Sequence, residues 1–225
     1  MNMDVNEQQL IADTAVDRKA ITERLEIRPA RKTDQGPLAE LMYSSGWDIY
    51  DYIHTRDGRN HSLDYIASEF KSGRGLCSWK LLTVAVLDGE VVGTGTFYNR
   101  EAYQAMPLQS LIALIGYYGV GFFPRLRRAM DTTKLVKPPE PGELYLANFG
   151  VVPHLRGAGV GSKLLKHKIE EARRQDYRTV ALDVANHNPK AEALYSRLGF
   201  AVTRSKAMQG RDGKEYSGKK MELFL

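Results

Sequence analysis

VVPHLRGAGVGSKLL, Val151 to Leu165, sets three alternating glycines between a run of strand-formers and an amphipathic helix pattern. A helix start leaves about four backbone N–H groups without intrahelical partners, and the aligned peptide dipoles add roughly half a positive charge there. An anion satisfies both. Gly157, Gly159 and Gly161 remove Cβ atoms where a bulky pyrophosphate would approach the backbone, and Arg156 stands at the mouth as a cation. Spacing narrows the ligand further. A dinucleotide fingerprint, GxGxxG, would need glycine at Ser162 or Leu164, and a Walker loop would need lysine directly after Gly161, where Ser162 stands before Lys163. What remains is R/QxxGxG on Arg156, Gly159 and Gly161.

A second stretch, VALDVANHNPKAEALYSRLGF, runs from Val180 to Phe200. Val180, Leu182 and Val184 alternate as a half-buried strand. Asn188 and Ala191 then give NxxA, and Leu194, Tyr195, Leu198, Gly199 and Phe200 give LYxxLGF. Together with Val151, Val152 and Pro153, these two ordered motifs resemble the GNAT N-acetyltransferase superfamily. The resemblance is close over residues 144–200, extends to Arg24 through Phe97, and does not reach the first residues or 99–140. It implies an α/β GNAT fold: a mixed, mostly antiparallel central sheet of about seven strands flanked by helices. A helical insertion at 99–140 would lie between the third and fourth strands, a placement similar to that of puromycin-type acetyltransferases.

The resemblance also implies acetyl-CoA as cosubstrate, with no metal. Its pyrophosphate would meet the N–H groups of Gly157, Ala158, Gly159, Val160, Gly161 and Ser162, with Arg156, Lys163 or Lys166 near the remaining charge. Its pantetheine amides would bond unpaired backbone at Val151 and Val152, where the strands carrying Val151 and Val184 splay. Asn188 matches the family's cofactor contact and Tyr195 its general acid. A phenol of pKa about 10 opposite a thiolate of about 8.5 makes full proton transfer uphill by roughly 2 kcal/mol, so hydrogen bonding during C–S cleavage matters more than early transfer. The base stays unassigned. The position where many members carry a strand glutamate is Ala147, and Asn148 cannot ionise. Glu143 could act through water but reads more simply as an exposed turn residue, and His154 and His187 lie near the mouth.

The 225 residues, 43% hydrophobic and 26% charged, suit one soluble domain at 24–225 after an N-terminal extension at 1–23. A net charge of +5 suits a polyphosphate ligand without the concentrated patch of a nucleic-acid binder. The single cysteine, Cys77, excludes an intramolecular disulfide, and the start MNMDVNEQQL lacks a signal pattern, so a reducing, cytoplasmic location is expected. Residues 105–123, AMPLQSLIALIGYYGVGFF, approach the length of a membrane span and precede Arg125, Arg127 and Arg128. A span would split strands that one sheet must pair, and Pro107, Gln109, Ser110 and three glycines interrupt it. A helix packed over the sheet or at a subunit contact is preferred; an interfacial helix and a homodimer stay open.

Elsewhere, Leu25 to Ala30 reads as the first strand, with a helix beginning at Thr33 or Asp34 and a second at His61 to Lys71 capped by Asn60 or Ser62. GWDIYDYIHTRDGRN between them reads as aromatic-rich turn sequence bordering the acceptor site. Asp88-Gly89 joins Lys80–Leu87 to Val91–Phe97 as a hairpin. The functional expectation is acetyl transfer from acetyl-CoA to a primary amine of a small molecule by direct attack in a ternary complex. Alternatives are a protein N-terminal or lysine acetyltransferase acting on a peptide amine, and a catalytically silent CoA-binding protein.

Overall fold

The computed structural model describes residues 18–34, 36–54 and 59–225. Most of the expected N-terminal extension, 1–17, and residues 55–58 of the expected acceptor border lie outside them. A helical lead-in at 18–24 enters β1 (Glu26–Pro29). Then come α1 (Leu38–Ser45), α2 (Trp47–His54), α3 (Arg59–Ser72), β2 (Leu82–Leu87) and β3 (Glu90–Tyr98). Helices α4 (Arg100–Tyr118) and α5 (Phe122–Asp131) precede β4 (Glu143–Val151), α6 (Val160–Arg174), β5 (Thr179–Ala185), α7 (Pro189–Arg197), β6 (Ala201–Gln209) and β7 (Glu215–Phe224).

The seven strands form one sheet in the order β1-β2-β3-β4-β5-β7-β6, and β4 with β5 is its parallel pair. The β2–β3 hairpin turns at Asp88 and Gly89, with φ of 52° and 87°, a conformation that the Asp-Gly pair tolerates. Alternation along β2 sends Val84 and Val86 toward α1 and α3, and Ala85 toward α6. On the α6 side, Leu164, Leu165, Ile169 and Ala172 pack on Leu146, Val180 and Leu182. Each fully buried aliphatic side chain there contributes about 1.5–3 kcal/mol.

Two features shape the site. Parallel pairing of β4 and β5 runs from Glu143↔Thr179 to Leu146↔Leu182 and stops, although both strands continue. Within β4, Asn148 adopts φ of 50°, and the β3–β4 register shifts between Thr94 and Thr96, so two residues of β4 oppose Gly95. Such a bulge bends the strand and increases its twist. Beyond it Gly150 lies under α1, where a Cβ would come 2.5 Å from the Leu41 carbonyl oxygen.

Several local expectations shift. The first helix starts at Leu38 rather than at Asp34, because Asp34 is held by Arg28 (2.7 and 2.8 Å) and by the Arg31 N–H. Trp47–His54, expected as turn, is a helix whose Tyr52 packs on Met208 and Tyr216 of the C-terminal hairpin. Ser62 lies inside α3, not at its cap, and donates to Asp51. The segment between β3 and β4 is helical, with Asn99 capping α4 by accepting from Ala102 N–H at 3.0 Å.

Candidate active site

The glycine loop lies at the mouth of a cleft of about 780 Å³ that opens where β4 and β5 part. Gly157 and Gly159 have φ of 85° and 92°, the left-handed region that glycine enters without a Cβ penalty. A Cβ on Gly159 would also stand 2.9 Å from Thr22 in the lead-in helix. Helix α6 starts at Val160, and the first intrahelical bond to Gly159 O comes from Lys163 N, so the N–H groups of Val160, Gly161 and Ser162 are the first-turn donors. The absence of a side chain at Gly161 admits the Phe149 ring, 3.2 Å from where a Cβ would be.

Arg156, Gly157, Gly159, Gly161, Ser162, Val151, Asn188 and Tyr195 all line this cleft. Asn188 caps α7 by accepting from Ala191 N–H at 3.2 Å, which leaves its amide nitrogen as the group that can face a ligand. Tyr195 sits with its ring 6.2 Å from Phe149 and 6.0 Å from Phe200, and burial pushes its phenol above the usual range. It therefore carries its proton at neutral pH.

Other expectations need correction. Val152 is not unpaired: its N–H donates to Val92 O at 2.9 Å and its side chain is in the core. In an antiparallel ladder alternate residues bond to the same neighbour, so with Val152 turned to β3, the N–H groups of Val151 and Phe149 face the gap left by β5. The Val151 carbonyl accepts from Arg156 Nε at 3.0 Å. Ala158 N–H is used inside the loop, by Leu155 O. The Val160 side chain is buried in the core. Lys163 donates to Thr22 O and Leu25 O and so fastens the lead-in helix, while Lys166 is exposed. The cations that line the cleft besides Arg156 are Arg18, Lys190 and Arg197, which spacing within the loop did not reveal.

A second, mostly apolar cavity of about 470 Å³ lies on the far side of the sheet opening, walled by α2, α4, α5 and the C-terminal hairpin. The two cavities share Ser45 of α1 and, where the strands diverge, Leu146, Ala147, Asn148, Asp183, Val184 and Ala185. Asp183 stands at this junction with both oxygens near Lys206 Nζ (3.0 and 3.1 Å) and accepts from Tyr145 OH. Its lone pairs are engaged. Asp48 also lines the second cavity, and its Oδ1 is buried without a hydrogen-bond partner among the described residues. His54, stacked 4.0 Å from the Tyr65 ring and 3.2 Å from Tyr118 OH through Nδ1, stays neutral because burial lowers its pKa to about 3.

The ionisable group best suited to accept a proton is one the sequence did not single out. Glu69 of α3 lines this cavity, and desolvation raises its pKa to about 7, against the opposing effect of hydrogen bonds from Cys77, Tyr65 and Ser110. Cys77 N–H donates to Glu69 Oε2 at 3.3 Å, Tyr50 OH lies 3.2 Å from Cys77 Sγ, and Tyr50 donates to Asn148 Oδ1 at 2.7 Å. This chain runs from Glu69 to the β4 bulge. Burial holds both Tyr50 and Cys77 protonated at neutral pH. Glu143, by contrast, is buried at the start of β4 and pairs with Lys220 at 2.9 Å, so it is a structural ion and not an exposed turn residue. His154 is exposed, and the His187 ring lies tilted 5.8 Å from Trp47 with Nδ1 3.9 Å from Asp48.

The model of the Acetyltransferase (GNAT) family matches residues 41–200. The chain is 33% identical over 82 residues to the 5-NmdU N-acetyltransferase of Pseudomonas phage PaMx11, covering 36% of this chain and 50% of that protein. It is 37% identical over 75 residues to the ribosomal protein bS18-alanine N-acetyltransferase of Escherichia coli K12, covering 32% of this chain and 51% of that protein. The matches thus span half the length of these relatives. Among solved structures, an N-acetyltransferase from Staphylococcus aureus Mu50 has a TM-score of 0.65 at 20% identity, covering 88% of this chain and 100% of that one. At that identity the likeness is one of fold.

Proposed function

The chain belongs to the GNAT acetyltransferase family, and from that premise we propose that it transfers an acetyl group from acetyl-CoA to the primary amine of a small molecule with an apolar body. One observation carries this reading. A cleft with a glycine-lined anion cradle and a separate apolar cavity meet at the gap between β4 and β5. The relatives are named for N-acetyl transfer to acceptors as different as 5-NmdU and a ribosomal-protein alanine, so they support the reaction class more than any acceptor.

The residues present fit the donor. First-turn N–H groups of α6 and the guanidinium of Arg156 would hold the pyrophosphate, and the N–H groups of Phe149 and Val151 would meet the pantetheine amides. Bound acetyl-CoA supplies a thioester whose carbonyl carbon is the electrophile. From the other cavity, the acceptor nitrogen would approach at Ala147, where the small side chain leaves space. Asp48 Oδ1 would accept from the amine as it binds. As the C–N bond forms, the nitrogen proton passes to Glu69; as the C–S bond breaks, Tyr195 OH hydrogen-bonds to the departing sulfur and passes it a proton only late in cleavage, regained from solvent. The products are an amide and CoA.

Incubation with acetyl-CoA and a panel of primary amines, scored for free CoA and acetylated product, tests the assignment. Turnover of aryl- or alkyl-substituted amines above the hydrolysis background is expected. Acetylation confined to proteins in a radiolabelled lysate would transfer the reading to a protein acceptor, and binding of acetyl-CoA with no turnover would leave a silent binder.

A further inference from the structure

The two faces of α4 and α5 have opposite surroundings. Met106 and Leu114 are buried beneath α4, and the inner side of both helices walls the acceptor cavity. On the outer side, Leu108, Ile112, Ile115 and Phe123 are 64%, 45%, 44% and 56% exposed, and Val120 is fully exposed between the helices. Leu108, Ile112 and Ile115 follow i, i+4, i+7 spacing, so they form one stripe. An apolar stripe continuous over two helices is more than the scattered exposure usual for a soluble surface.

Charge identifies what covers it. Between residues 102 and 137 the one acid is Asp131, and the exposed cations are Arg127, Lys134 and Lys137; Arg125 turns inward, its guanidinium 4.7 Å over the Tyr118 ring. Asp131 is already held by Arg211 at 2.7 Å and by Tyr52 OH. Arg127 lies over the exposed Phe123 ring, 6.0 Å from its centroid, a pairing of aromatic body and basic head suited to a headgroup layer. Two copies apposed through this face would bring their exposed cations together, whereas anionic headgroups would neutralise them.

Residues 100–134 are long and apolar enough to cross a membrane. Their inner contacts oppose crossing. Tyr118 OH bonds to His54, Asp131 bonds to Tyr52 and Arg211, and both helices bound the cavity, so a span would have to tear them from the sheet. We propose that α4 and α5 lie in the plane of an anionic lipid bilayer, with the Leu108–Phe123 stripe in the acyl boundary and the basic cluster on the headgroups. The acceptor cavity then sits directly behind the docked helices.

Flotation of the full-length protein with vesicles of phosphatidylcholine alone or mixed with phosphatidylserine tests this, alongside light scattering for mass. Binding to the mixed vesicles is expected, with release at high salt. Ile112→Glu with Phe123→Glu should lower the partition coefficient at least tenfold, and Lys134→Ala about fivefold. All these side chains are exposed, so thermal stability and circular dichroism should remain unchanged; Val120→Glu provides a second variant if the double change fails to fold. Failure to float on anionic vesicles at low salt, with a dimer that Ile112→Glu dissociates or without one, would overturn the proposal. So would binding that survives high salt and alkaline carbonate, which would mean a span.

Discussion

In the proposed donor cleft, the groups placed to meet a ligand are mostly main-chain N–H donors from one run of residues, Phe149 to Ser162, set by two positive-φ glycines and a helix start. In the proposed acceptor cavity they are side chains from separate elements: Asp48 on α2, Glu69 on α3, Cys77 before β2, Asn148 on β4 and Asp183 on β5. The contrast is one of sensitivity. A main-chain site tolerates most side-chain changes and fails only where a Cβ intrudes, whereas a side-chain site can be rewritten residue by residue without disturbing the fold. One scaffold can therefore keep its donor and exchange its acceptor.

Substitutions at the two sites test that contrast. The largest effect is expected for Glu69→Gln, which should lower kcat about 10²- to 10⁴-fold with acetyl-CoA affinity unchanged, measured by steady-state kinetics and calorimetry. In the unsubstituted protein, kcat should rise with pH through about 7 as Glu69 ionises. Tyr195→Phe should cost about 10²-fold in kcat and little in cofactor affinity. Unchanged turnover would remove it from the chemistry. Gly159→Val, strained at φ of 92° and pressed on Thr22, should weaken acetyl-CoA binding about 10- to 100-fold. Full thermal stabilisation of that variant by acetyl-CoA would contradict the cradle. Asp48→Asn should raise KM for the amine about tenfold with kcat nearly constant.

The same glutamate affects stability. Its pKa is raised in the native state by burial, so the native chain holds a proton between pH 4.5 and about 7 that the unfolded chain releases. Stability from this group is complete below the unfolded pKa and falls as pH rises through the native one, by up to roughly 3 kcal/mol. Glu69→Gln should therefore gain stability relative to the unsubstituted protein at pH 8 compared with pH 4.5, as read by denaturant melts. An equal difference at both pH values would show that Glu69 is not held in a desolvated site.

The donor side was legible because its signal is contiguous: alternating glycines, NxxA and LYxxLGF each record local backbone geometry. Even there, sequence spacing did not show which N–H groups are spent internally, as at Ala158 and Val152. The acceptor side was illegible for a physical reason. Glu69 sits in a polar helix pattern that reads as a solvated face, and its burial depends on Gly75, where a Cβ would stand 1.8 Å from its Oε1. Helix α2 hid within an aromatic run whose anchoring partners, Met208 and Tyr216, come from the far end of the chain. Glu143 reads as exposed until Lys220 is brought beside it by the sheet order β4-β5-β7.

Donor and acceptor are proposed to meet at the β4–β5 gap. A crystal structure of the protein with bound CoA tests it most directly. Pyrophosphate is expected against the first turn of α6, the pantetheine arm along Phe149 and Val151, and the thiol between Ala147 and Tyr195, open to the cavity behind α2. CoA bound outside this cleft, or a thiol shut off from that cavity, would contradict it.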